Sequence, residues 1–377
     1  MTPITEKTYR ERRDRVRKSA HDAGAGNVVS ADPADIRYLT GVGVGQGLLV
    51  LNDGGGVLVT DARHQHLLAA FRPAEAWITS IVDPGVGAAA RDWARAVCTV
   101  TGDVAVDPEH VSTSLWHALA SMLPRKIVSA PGVISRVRAK KTTEEIERIE
   151  RAADIAGRAY LEALSSLHPQ LTEWQFANRV ESIARDLGAD AMAFNTMTGF
   201  GPRSAEPGAR ASNNPLRGEG WLMVDWGVAV DGYVCDMARS AYLGECSPLH
   251  RRDYAVVSEA LNAGVASIHP GIRCADVFEA IRRVLAEARE EDRFRHLAGH
   301  SVGLGPHEPP FIHPYSDWQI EAGYVMSVEV GLYRLGEGGI RLEQQIAATD
   351  AGCRLLSEVP SLELTEIHTG FGATTKP

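Results

Sequence analysis

Cysteine is scarce in this 377-residue chain. The five present, Cys98, Cys235, Cys246, Cys274 and Cys353, are scattered and odd in number, with no Cys-x-x-Cys pair. That pattern excludes a thiolate metal site and fits a reducing compartment. Positive charge is also short, with 39 Lys and Arg against 48 Asp and Glu and a net charge of −9. No basic run offers a local exception, so a nucleic-acid partner is excluded. No apolar run is long enough to cross a bilayer, which excludes a spanning membrane protein. The first residues, MTPITEKTYRERRDRVRKSA, carry charge where a secretory signal carries an apolar core. A cytoplasmic location is expected. Low-complexity segments and solenoid-length repeats are absent too.

What remains is ordinary globular composition, 44% hydrophobic and 23% charged, in a chain long enough for two domains. Residues 1–137 alternate helical and strand-like stretches: helix over 5–23, strand over 27–30, strands over 47–51 and 56–60, helix over 61–71, strand over 76–82, helix over 91–98, strand over 103–107 and helix over 112–122. This reads as an α/β domain. Its Gly41–Gly47 stretch, GVGVGQG, resembles a phosphate loop only superficially, because an apolar strand follows it and no helix does. No constellation in this half looks catalytic.

A second domain is expected over 138–377. Arg138 to Lys141 is basic and reads as a surface linker. Thr142-x-x-Glu145 and Thr172-x-x-Gln175 are capping boxes that open two helices. The first of these carries a purely packing stripe from Ile146 to Leu164. Met192 to Met197 reads as a strand. Gly199 to Gly220, rich in Gly, Pro, Ser and Asn, reads as a long loop, a place where function often resides. Helices are expected over 253–268 and 275–288.

The chemistry sits on two hairpins and the stretch between them. LMVDWGVAVDGYVCDMAR (222–239) folds back at Asp231-Gly232. Val230 then faces Tyr233, Gly227 faces Asp236, and Asp225 shares a face with Asp236 as its diagonal neighbour, roughly 7–8 Å away. Two carboxylates inside an apolar segment need compensation, and a divalent cation supplies it. Taken alone, the pair could equally sit at strand ends in water. HLAGHSVGLGPHEPP then concentrates His296, His300 and His307 among glycines; a polar surface loop is the weaker reading of that stretch. VMSVEVGLY and GGIRLEQQI form a second hairpin. Glu329 and Glu343 are each seven residues from Gly336, which sets them directly opposite each other. Like charges so placed destabilise a hairpin unless solvent or a cation relieves them. Asp, Asp, His, Glu and Glu form an oxygen-dominated set with one imidazole, suited to Mn, Co, Fe or Zn. Four carboxylates balance two divalent ions, and the reading that follows is a two-metal hydrolase in which metal-bound hydroxide attacks a polarised carbonyl.

These residues resemble the creatinase, prolidase and aminopeptidase P superfamily, the pita-bread metallohydrolases, over nearly the whole chain. Asp35–Gly41 (DIRYLTG) is similar to a segment of the family's N-terminal domain, and Arg138–Ile146 to its linker and first catalytic helix. Asp225 and Asp236 match its two aspartates, His300 its Gly-His-Gly-x-Gly histidine with Ser301 in place of the middle glycine, and Glu329 and Glu343 its two glutamates. The resemblance implies an α/β N-terminal domain followed by an α+β pita-bread catalytic domain with a curved antiparallel sheet. It implies Asp225 on one metal, His300 and Glu329 on the other, and Asp236 and Glu343 as bridges. His307 would stabilise the attacked carbonyl, His296 would be a further active-site histidine, Arg341 a supporting arginine, and Glu329 a proton shuttle. A homodimer is implied as well, one subunit's N-terminal domain closing the other's site.

Two departures bear on the substrate, a short peptide or another small molecule. The family's peptidases carry a histidine seventeen residues before the first aspartate. That position is Gly208 here, and no histidine lies between His168 and His250. The family's Glu-Pro-Gly is Glu329-Val330-Gly331. An Xaa-Pro dipeptidase or aminopeptidase-like hydrolase is the leading expectation. A hydrolase or lyase of a small non-peptide metabolite, creatinase-like or ectoine-hydrolase-like, is the alternative that Gly208 favours. A catalytically dead binding module is the third, and the intact ligand set argues against it.

Overall fold

The computed structural model describes residues 1–82, 90–97, 100–123 and 126–368, so Cys98 lies outside it. Two compact units divide the chain, one of residues 3–138 and one of residues 1–2 with 139–377.

The N-terminal unit is a six-stranded sheet of order β4-β3-β2-β1-β5-β6, with β1 Asn27–Ser30, β2 Gly47–Asn52, β3 Gly55–Asp61, β4 Ala76–Val82, β5 Val104–Val106 and β6 Ile127–Ser129. Helices α1 (Glu6–Asp22), α2 (Pro33–Thr40), α3 (Gln65–Ala70), α4 (Ala90–Ala96), α5 (Thr113–Met122) and α6 (Ser135–Ala139) accompany it. Sequence reasoning missed α2, β6 and α6. The signals for α2 were local: Asp32 accepts from the Ala34 N–H at 2.9 Å, Pro33 opens the helix, and Gly41 closes it at φ 76°.

The linker reading of Arg138–Lys141 is overturned. Arg138 is buried with its guanidinium 2.7 Å from Asp35 Oδ1. Lys141 is buried too, its Nζ donating to Ser301 Oγ at 2.8 Å and lying 3.4 Å from Glu308. A buried cation persists where carboxylate and hydroxyl partners replace water, and sequence position alone does not reveal such partners.

The second unit is the pita-bread architecture. A four-stranded sheet, order β18-β12-β9-β8, holds β8 (Met197–Phe200), β9 (Gly220–Trp226), β12 (Met237–Leu243) and β18 (Thr365–Ile367). Strands β7 (Ala191–Met192), β10 (Val228–Val230) and β11 (Tyr233–Val234) form a small sheet beside it. A five-stranded antiparallel sheet, order β14-β13-β15-β16-β17, holds β13 (Gly299–Ser301), β14 (Glu308–Ile312), β15 (Val325–Arg334), β16 (Gly338–Thr349) and β17 (Gly352–Leu355). Helices α7 (Thr143–Ser165) and α8 (Glu173–Asp186) share a core with β9, β10 and β12, where the buried Trp226 indole donates to the Ala156 carbonyl at 3.0 Å. Helices α9 (Pro248–Ser267) and α10 (Cys274–Glu287) share a core with β15 and β16. Both predicted capping boxes form. Ser240 Oγ accepts from the Arg341 N–H at 3.0 Å and donates to its carbonyl, which stitches β12 to β16 and sets the two hairpins side by side.

Two expectations in this unit change. Met192–Met197 is a bend between β7 and β8, with no continuous strand. The 199–220 loop is firmly organised and includes a 3₁₀ turn at Gly201–Ala205. Its organiser is Glu173, fully buried in the first turn of α8. The Glu173 carboxylate accepts from Phe200 N, Arg203 Nε, Ser212 N, Ser212 Oγ and Asn214 Nδ2, at 2.7 to 3.2 Å. Removing it strands several buried donors. Glu173→Ala should therefore lower unfolding free energy by about 2–4 kcal/mol in urea titration. An unchanged midpoint would show that the loop is held by something else.

Candidate active site

Asp231 at φ 53° and Gly232 at φ 76° make the mirror-image turn that suits a two-residue hairpin. Val230 pairs with Tyr233 and Asp225 with Ala238. Asp236 lies two residues from Ala238, so the two aspartates share a face. Gly227, between them in register, admits no side chain, because a Cβ there would sit 2.1 Å from the Cys235 carbonyl. In the second hairpin Glu329 pairs directly with Glu343 across a turn where Gly336 has φ 84°. His300 sits on β13, paired with Ser327 of β15, and His307 immediately precedes β14.

All eight residues singled out from sequence, Asp225, Asp236, His296, His300, His307, Glu329, Arg341 and Glu343, line one cavity of about 510 Å³. Gly208 lines it as well, along with Phe194, Asn195, Met197 and Arg210, which sequence reasoning did not single out. Oxygens of Asp225, Asp236 and Glu343 lie within 4.8 Å of one another, and so do donor atoms of Asp236, His300 and His307. Glu329 Oε1 is 3.9 Å from His300 Nε2, and Asp236 Oδ2 is 3.7 Å from it.

Burial controls the electrostatics. Loss of water, then the neighbouring carboxylates, drives Asp236 and Glu343 well above the usual carboxylate range. Desolvation raises Asp225 against the pull of Arg341, and raises Glu329 to about 7. Desolvation also lowers His296 and His300 to about 3, with Arg341 and His307 respectively adding to the effect, so both are neutral imidazoles at physiological pH. Asp225 Oδ1 is buried without a hydrogen-bond partner among the described residues. A neutral imidazole and a cluster of carboxylates with an unsatisfied oxygen form a donor set that divalent cations fit.

Arg341 ties the cluster together. Its Nη1 lies 2.5 Å from Asp225 Oδ2, its Nη2 donates to the Pro207 carbonyl, and its Nε donates to the Tyr333 hydroxyl at 2.8 Å. That hydroxyl is 2.9 Å from His296 Nε2, while His296 Nδ1 is 2.6 Å from the Leu297 carbonyl. A carbonyl only accepts, so Nδ1 carries the proton and the tyrosine donates to Nε2. Tyr333 therefore fixes the His296 tautomer, a role sequence reasoning missed. One signal was available. Gly331, directly opposite Arg341, leaves space for the tyrosine two residues on, whose hydroxyl lies 2.4 Å from where a Cβ would stand.

Ser301 causes no disruption: its hydroxyl donates to the Val325 carbonyl at 2.9 Å and accepts from Lys141. Val330 is fully buried in the core shared with α9 and α10, on the face opposite Glu329. Gly208 stands differently, because a Cβ there would meet nothing within 4 Å.

A carboxylate-rich, imidazole-bearing cavity built on paired antiparallel hairpins is a donor set suited to divalent cations. The chain belongs to metallopeptidase family M24, which residues 147–350 match, and residues 12–140 match the creatinase/prolidase N-terminal domain. An uncharacterised peptidase of Staphylococcus aureus is 31% identical over 224 residues, 59% of this chain and 64% of the relative, so the match spans a little under two thirds of that protein's length. Among solved structures, an Xaa-Pro dipeptidase from Bacillus anthracis superposes with TM-score 0.87 at 25% identity over 95% of this chain and all of that one. Dipeptidase PepE from Mycobacterium ulcerans superposes with TM-score 0.84 at 26% identity over 98% of this chain and all of that one.

Tyr333→Phe keeps the ring and removes the hydroxyl that holds His296 and Arg341. Hydrolytic activity should fall roughly 10–100-fold, the usual cost of losing an orienting partner, with little change in melting temperature. Full activity would show that the histidine's tautomer is set elsewhere.

Proposed function

We propose that the chain is a two-metal hydrolase of the Xaa-Pro dipeptidase or aminopeptidase type. One observation carries the proposal: Glu329 opposes Glu343 across one hairpin while Asp225 and Asp236 share a face of the other, in one pocket where Arg341 is the only cation ion-paired with the cluster among the described residues. On this reading Asp225, Asp236, His300, Glu329 and Glu343 would hold the ions between them. Asp236 belongs to both close donor groups. Bound divalent ions, from among Mn, Co, Fe and Zn, supply Lewis acidity that polarises an amide carbonyl and lowers the pKa of water.

The chain's own residues do the rest. His307, exposed beside the buried His300, is free to donate to the substrate's carbonyl oxygen. Glu329, which lines the cavity beside His296 and His300, is placed to take a proton and return it to the leaving amine. His296, held as the Nδ1–H tautomer by Tyr333, shapes the wall beside Glu329, its Nδ1 3.4 Å from that carboxylate.

The alternative, a small non-peptide metabolite as substrate, draws on the open space at Gly208. The discriminating assay is proline release from Xaa-Pro dipeptides and longer peptides by protein reconstituted with Mn, Co or Zn and verified as metal-loaded. Release supports the peptidase reading; its absence from loaded protein moves the substrate to non-peptide amides and N-alkylated metabolites.

Asp236→Ala and Glu343→Ala should each abolish metal retention, read by elemental analysis after dialysis, together with hydrolysis. A metal-free variant with full activity would refute the two-metal reading. Gly208→His, at a position where a Cβ meets nothing within 4 Å, should raise proline release about tenfold, the worth of one net hydrogen bond. An unchanged rate would clear Gly208 of responsibility.

A further inference from the structure

The 199–220 loop brings a second guanidinium to the cavity. Arg210 forms a β-bridge with Met197, and Met197 pairs with Asp225. Asp225, Met197 and Arg210 thus form a row across three adjacent segments, and directly paired residues project from the same face. Two strand spacings separate the backbones of Asp225 and Arg210, about 9–10 Å. Arg210 lines the same cavity as the carboxylates.

Its state differs from that of Arg341. Arg341 is buried and engaged by Asp225, Tyr333 and the Pro207 carbonyl. The Arg210 side chain is exposed and has no hydrogen-bond or ion-pair partner among the described residues. Its backbone is nevertheless fixed. Its carbonyl accepts from Arg203 Nη2 at 2.8 Å, and Arg203 is held by the buried Glu173. Gly208, two residues earlier, leaves the space beside it open. Of the two lining arginines, Arg341 is ion-paired with Asp225, whereas the Arg210 guanidinium has no carboxylate partner among the described residues. A planar guanidinium in that position pairs naturally with a carboxylate. The separation leaves room for about one extended residue, 3.3–3.6 Å long, plus the arginine's own reach.

We propose that Arg210 is a specificity-determining residue that recognises a carboxylate on the substrate, one residue beyond the carbonyl attacked. The enzyme is thereby selective for dipeptides with a free C-terminus over their amides and over longer chains. This proposal rests on the peptidase reading for its substrate and on the row of residues for its geometry.

The test compares Ala-Pro with Ala-Pro-amide on metal-loaded wild type, Arg210→Ala and Arg210→Lys. Wild type should favour the acid in kcat/KM by about 10–100-fold, the scale of a charge-assisted hydrogen bond. Arg210→Ala should bring the ratio close to one, chiefly through KM, and Arg210→Lys should retain part of the preference. An acid-to-amide ratio near one in wild type, or one unchanged in Arg210→Ala, overturns the proposal. If wild type hydrolyses neither compound, the peptidase reading fails, and calorimetric titration with succinate against succinamide decides the role of Arg210 separately. Succinate binding weakened by Arg210→Ala upholds it, and equal affinity in both proteins overturns it.

Discussion

Crowding carboxylates in a dry pocket is the constraint around which the catalytic unit is built. Like charges about 4 Å apart at a protein's effective dielectric repel by roughly 4 kcal/mol, and each is deprived of water as well. Asp225, Asp236 and Glu343 are held in that position by ladder hydrogen bonds on two hairpins, and by glycines at positions where any side chain would collide. Ser327 donates to Glu343 and Arg341 to Asp225, and these two bonds relieve only part of the excess. The fold thus holds a destabilised cluster whose charge and donor atoms suit divalent cations. Helix pairs packed behind each sheet supply the rigidity that keeps the strands from relaxing apart.

Much of this was legible from sequence because antiparallel pairing is arithmetic. Once Asp231-Gly232 and Gly336 are taken as turns, every cross-strand partner follows, and Val230–Tyr233 and Glu329–Glu343 pair as counted. Capping boxes are equally local and equally readable. What escaped notice depends on three-dimensional neighbours. Lys141 looked like a surface lysine because nothing near it in sequence announces Ser301 or Glu308, 160 and 167 positions away. Tyr333 looked like a strand aromatic until Arg341 and His296 were seen on its hydroxyl. Arg210 sat in a stretch whose composition said only that it was a loop.

The departures from the family pattern sort themselves by position. Ser301 is accommodated by a lysine and a backbone carbonyl, and Val330 turns into the core away from the cavity. Neither alters the walls that a substrate would meet. Gly208 does, since it replaces a side chain with open space beside the carboxylates.

That division has a structural basis. Asp225, His300, Glu329 and Glu343 stand on sheet strands and Asp236 immediately precedes β12, where moving one residue shifts a whole register. Gly208 and Arg210 stand on a loop held by the buried Glu173 carboxylate, whose bonds reach residues on both sides of them, and by the Arg341 bond to the Pro207 carbonyl. Side chains between such anchors can be exchanged without disturbing either sheet. A scaffold of this kind can preserve its hydrolytic core while the loop redefines which small molecule is admitted. Gly208, where a Cβ would meet open space, and the Arg210 guanidinium, unpartnered among the described residues, are two positions on this loop where the side chain is free of both sheets.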